Sequence, residues 1–148
     1  MKALGLAGPQ EMLRADASAQ EAALVLSRIQ TSAALVVDEG DRFVGIVTDE
    51  HLLKALLPSY VGEADALARV LEEGSAERLW QRLEGRTVRD LIVGGRDEEP
   101  VVDGGATLVE VASVMVRAEA RIVAVVDDGR LVGGITIDHL LTHLLSRR

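Results

Sequence analysis

The sequence predicts an α/β (α+β) protein made of two tandem repeats, each a small sheet with two packed helices, paired about a pseudo-twofold axis. Three observations predict it. The stretch "FVGIVTDEHLLKALL" at 43–57 recurs as "LVGGITIDHLLTHLL" at 131–145, and an internal repeat decides architecture before any other signal does. Short β-branched runs lie beside stretches with apolar residues at helical spacing, the alternation expected of mixed folds. Finally, 48% of the 148 residues are hydrophobic but only 2% are aromatic. The core must therefore be aliphatic, and it is large enough for one compact domain or two intimate halves.

Each element can be justified in order. When the segment from Ala17 is laid over that from Ala106, Ser18 falls on Thr107, Glu21 on Glu110, Arg28 on Arg117 and Val37-Asp38 on Val126-Asp127. The second copy then has a turn one residue shorter. Beyond it Val44 matches Val132, Gly45 matches Gly133, Thr48 matches Thr136 and His51 matches His139. Ser18-x-x-Glu21 and Thr107-x-x-Glu110 read as capping boxes that open helices at about 18–30 and 107–119. "AALVVD" and "IVAVVD" are β-branched and uninterrupted, as buried strands are. Asp-Glu-Gly-Asp and Asp-Asp-Gly make hairpin turns. Second strands run from about 42 to 48 and from 130 to 136, and second helices cover about 50–57 and 138–146. A short extended piece precedes each copy, around Leu13-Arg14 and at 100–102.

The chain divides into a first repeat at 1–57, a helical connector at 58–86 and a second repeat at 87–148. Gly74-Ser75 reads as a helix stop followed by an N-cap. It separates two amphipathic helices at roughly 63–73 and 75–84. Trp80 lies with Leu79 and Leu83 on the second of these, which either covers a face of the module or offers a partner surface.

The formal net charge of −8 argues against a nucleic-acid partner, because phosphate contacts need clustered Lys and Arg. The chain has no cysteine, which excludes thiol nucleophiles and cysteine metal sites. No apolar run reaches the roughly 20 residues that span a bilayer, and the first residues lack a signal-peptide core. A cytoplasmic location without membrane insertion is expected. Nothing pairs a nucleophile with a base, so no enzyme is expected.

"VVDEGDRFVGIVTDEHLL" and "VVDDGRLVGGITIDHLL" resemble the signature of CBS domains, the modules named after cystathionine beta-synthase. "TVRDLI" at 87–92 resembles the helix that leads into such a repeat. "LLPSYV" and "GRTVRDL" are similar to small stand-alone bacterial CBS proteins. The resemblance implies a tandem pair, or Bateman module, whose sheets pack face to face. It also implies a homodimer, an adenosine-type ligand such as AMP, ATP or S-adenosylmethionine in the inter-repeat cleft, and a regulated enzyme or transporter as partner.

The family motif is Gly-h-h-Thr/Ser-x-x-Asp, where h is apolar. Its hydroxyl meets a phosphate at a helix start, and its Asp accepts from both ribose hydroxyls. The resemblance thus assigns nucleotide contacts to Thr48, His51, Ile46 and Asp16, and to Thr136, His139, Gly134 and Ile122. Thr48 and Thr136 should face a shared cleft region from symmetry-related positions. Both copies carry His where the motif has Asp. Losing one charge-assisted contact costs about 1.5–3 kcal/mol, roughly 10- to 100-fold in affinity, so any nucleotide is expected to bind weakly. Two other readings stay open. One is a divalent-cation or pH sensor, for which His139 and His143 at i, i+4 are the metal candidates. The other is a ligand-free assembly module. Gly133-Gly134 lets either a ligand or another backbone approach closely.

Overall fold

A computed structural model of the chain describes residues 1–28, 33–57, 76–92 and 99–146. Helix α1 (Ala3–Leu6) comes first. The first repeat follows as β1 (Met12–Arg14), α2 (Ala19–Leu26), β2 (Ala33–Val37), β3 (Phe43–Thr48) and α3 (Asp49–Leu56). The connector contributes α4 (Ala76–Gln81), and α5 (Val88–Ile92) leads into the second repeat. That repeat holds β4 (Val101–Asp103), α6 (Leu108–Ala118), β5 (Ile122–Asp127), β6 (Arg130–Thr136) and α7 (Ile137–Leu145). The expected elements are present within a residue or two, apart from shorter ends on α2 and α4. The connector helix expected at 63–73 lies outside the described residues. No described helix is long and apolar enough to cross a membrane.

Both sheets have three strands, in the orders β1-β2-β3 and β4-β5-β6. In each, a parallel pair joins an antiparallel hairpin, and the ladder shifts register at corresponding places, Val36/Val37 and Val125/Val126. The shorter second hairpin turns through Asp128 and Gly129, both at positive φ (55° and 78°), as a two-residue turn of that hand requires. In the longer first hairpin, Asp38 accepts from the Gly40 and Arg42 amides. The Arg42 and Gly40 amides favour the ionised carboxylate and lower its pKa.

Side chains alternate across each sheet. The outer faces of β2 and β3 send Ala34, Val36 and Val47 into a core with α2, and β5 and β6 send Val123, Val125 and Ile135 into an equivalent core with α6. The inner faces meet each other through Leu35, Ile46, Ile122, Ala124 and Ala33. Every residue of β2 is buried as a result.

The lead-in helices are exchanged. Ala3 and Leu6 of α1 belong to the second repeat's core, while Val88 and Leu91 of α5, with Leu83 of the connector, belong to the first. The backbone bonds correspond pair by pair. Ala3 N–H donates to Ala106 O as Val88 N–H does to Ala17 O, both at 2.8 Å, and Leu4 to Gly104 corresponds to Arg89 to Ala15, both at 2.9 Å. The division at residue 87 is thus a boundary of sequence, not of packing, and the end of the connector is part of the first core.

Candidate functional site

Thr48 and Thr136 end β3 and β6 and N-cap α3 and α7. Their cross-strand partners are Ala33 and Ile122, which lie in the layer between the sheets. Cross-strand partners share a face, so both threonines sit at corresponding margins of that layer. Each is half-buried, and each leads into a helix whose first turn carries carboxylates, Asp49 and Glu50 in α3 and Asp138 in α7.

The two histidines differ. The His51 backbone N–H donates to Thr48 Oγ1 at 3.4 Å. The Thr48 backbone N–H in turn donates to His51 Nδ1 at 2.9 Å. Imidazole thus fills the place that Glu or Gln takes in the usual capping box. His51 Nδ1 also lies 3.1 Å from Thr48 Oγ1. The His139 backbone N–H donates to Thr136 Oγ1 at 3.1 Å, and its ring is exposed.

The remaining candidates are scattered. Ile46 is 4% and Ile122 1% exposed, both as inter-sheet core. Asp16 is exposed in the turn after β1. His143 is half-buried, and its Nε2 is buried without a hydrogen-bond partner; His139 one turn earlier faces solvent. Among the described residues, no group of three His, Asp or Glu is placed to hold a metal.

Gly133-Gly134 answers to another backbone. Gly8 and Gly134 exchange two hydrogen bonds, each 3.0 Å. A Cβ on Gly133 would lie 2.8 Å from Gly8 O, and one on Gly134 would lie 2.9 Å from Gln10 Cγ and 3.2 Å from Leu35 Cδ1. Sequence reading missed Gly8 and Gln10, since a contact between distant segments leaves no local pattern. It also missed Arg121, an exposed residue whose carbonyl accepts from Ile137 N–H at 3.0 Å. That bond sets the Arg121 backbone beside the start of α7. The matching position in the first repeat is Ser32, outside the described residues.

Two open grooves flank α6. One of about 640 Å³ runs along β4 and includes Asp103, Glu110 and Arg117. The other, about 450 Å³, is apolar and lies between α6 and Leu144 of α7. Neither touches Thr48, His51, Thr136 or His139.

Known proteins agree with this architecture. A crystal structure of a CBS domain-containing protein of unknown function from Kribbella flavida is 32% identical, covering 98% of this chain and 99% of that one, with a TM-score of 0.83. CBSX2, a CBS-pair protein of Arabidopsis thaliana, in complex with AMP is 21% identical over 99% of this chain and 98% of that one, at a TM-score of 0.70. Hypoxic Response Protein I with two coordinated zinc ions is 20% identical over 97% and 98% of the two chains, at a TM-score of 0.68. No curated protein matches the sequence significantly. The sequence model of the CBS domain matches residues 10–58 and 87–146. With both repeats matched and the sheets paired as described, the chain belongs to the CBS-domain family, as a tandem CBS pair, a regulatory module.

Proposed function

We propose that the protein binds an adenosine-type nucleotide weakly in the cleft between the repeats and passes the resulting change in packing to a partner protein. The observation that carries this reading is the matched pair of strand-to-helix junctions at Thr48 and Thr136, each offering a hydroxyl and a helix start at the margin of the inter-sheet layer. The AMP bound by CBSX2 supports the ligand class. With His51 engaged in its own cap, ribose recognition at the first junction is the weaker of the two. The role is regulatory rather than catalytic, and signalling needs a ligand with different affinities for two arrangements of the sheets.

The protein also pairs with a second copy in this reading. Leu53, Leu141, Leu144 and Leu145 are about half exposed on α3 and α7, and Val109 and Val116 on α6 are 76% exposed. Exposed aliphatic surface of this extent on helices marks an interaction site.

A ligand-free assembly module is the second reading, favoured by the burial of Ile46 and Ile122. Thermal unfolding with AMP, ATP, S-adenosylmethionine, magnesium or zinc separates these readings. At 100 times its Kd a ligand stabilises by about 2.7 kcal/mol, a rise of several degrees for a chain of this size. Stabilisation by a nucleotide supports the proposal, stabilisation by a metal alone replaces it with cation sensing, and no response leaves the assembly module.

A further inference from the structure

The free edge of β6 is occupied by the protein's own N-terminal segment. The Gly134 N–H donates to Gly8 O, and Gly134 O accepts from the Gly8 N–H. The side chain of Gln10 lies over the space where Gly134 has no Cβ. This strand position lies two residues before the Thr136 junction, where an incoming base would seek backbone partners. We propose that residues 7–11 form a strap that closes the second junction, so that ligand binding there and release of the strap compete. This inference rests on the nucleotide reading above.

Several features make the strap releasable. It joins β6 by a single isolated bridge rather than a ladder. Helix α1, which anchors it, has four residues and no side-chain N-cap. The ends of the strap are held, α1 by the Ala3 and Leu4 bonds to Ala106 and Gly104 and Glu11 O by the Leu35 N–H, so release is confined to residues 7–10, none of which is fully buried. A segment with few buried contacts lies at the low-stability end of a structure and opens first. The glycine at 133 is required for the closed state, because Gly8 O approaches within 2.8 Å of where a Cβ would stand.

If the open form is about a tenth of the population, closure weakens apparent affinity about tenfold. Two variants open it by different routes. Gly133→Ala drives a methyl into Gly8 O. Gly8→Pro removes the amide donor, and Ala7 already has the extended backbone (φ −60°, ψ 134°) that a following proline requires. Gly8→Ala is the control, since a Cβ there meets nothing within 4 Å.

Amide hydrogen exchange at Gly134 and calorimetry with AMP are measured on each. Loss of Gly134 protection and about tenfold tighter AMP binding are expected for Gly133→Ala and Gly8→Pro, with Gly8→Ala like the wild type. AMP should also accelerate exchange at Gly8 and Gly134 in the wild type. Three results would overturn the strap alone: folded variants that keep Gly134 protected, variants that lose protection without gaining affinity, or AMP bound to the wild type with both amides still protected. No AMP binding by any of the four proteins overturns the strap and the nucleotide reading together.

Discussion

His51 and His139 stand at the same place in the repeat and do different things. His51 Nδ1 accepts the Thr48 amide, whereas the exposed His139 contributes its backbone to the cap. The repeat made the correspondence legible in sequence, but not this division, because a ring orientation depends on what surrounds each helix start. The difference is measurable. His51→Ala should lose about 1 kcal/mol of stability, the usual scale of a cap contact, and His139→Ala a few tenths at most. Urea titrations of both variants check this; equal losses would show that the His51 ring contributes nothing to its cap.

At the scale of elements, turns and strands were readable because their causes are local: β-branched runs, an Asp-Gly turn, a hydroxyl three residues before a capping partner. What the sheets do to each other was not. The cross-strand pair Leu35–Ile46 in the first repeat corresponds to Ala124–Gly134 in the second. Large residues on one inner face meet small ones on the other, and Leu35 Cδ1 lies 3.2 Å from where a Gly134 Cβ would stand. Interiors pack at crystal-like density, so this size difference fills the layer while breaking the pseudo-symmetry. Leu35 is 0% exposed, and Leu35→Ala should cost about 2–5 kcal/mol. Chemical unfolding measures it, and a cost below about 1 kcal/mol would mean that the layer collapses around the gap or is loosely packed.

For the whole molecule, the exchanged lead-ins tie the repeats together. Helix α1 packs with the second repeat and β1 pairs in the first, while α5 packs with the first and β4 pairs in the second. The outer helices lead to a further expectation. Val109 and Val116 occur only in the second repeat, where the first has Gln20 and Ser27, so the proposed pairing of two copies is expected to centre on α6 and α7. Light scattering should give twice the 15.8 kDa protomer mass for the wild type and the protomer mass for Val109→Lys with Val116→Lys. A monomeric wild type at tens of micromolar would refute the pairing.

The amino-acid sequence was sufficient for the repeat, the order of elements, the N-cap hydroxyls of Ser18 and Thr107, the aliphatic core and the family, because each depends on spacing along the chain; the reciprocal carboxylate bond expected of Glu21 and Glu110 does not form, and the full box is at Thr48 and His51. Tertiary structure alone decided that Gly133-Gly134 serves Gly8, that Leu83 and Val88 enter the first core, and that Ile46 and Ile122 face each other's sheets. Those facts depend on which distant surfaces meet. Residues 8 and 134 lie at opposite ends of the chain, and a glycine gives no sign of what approaches it.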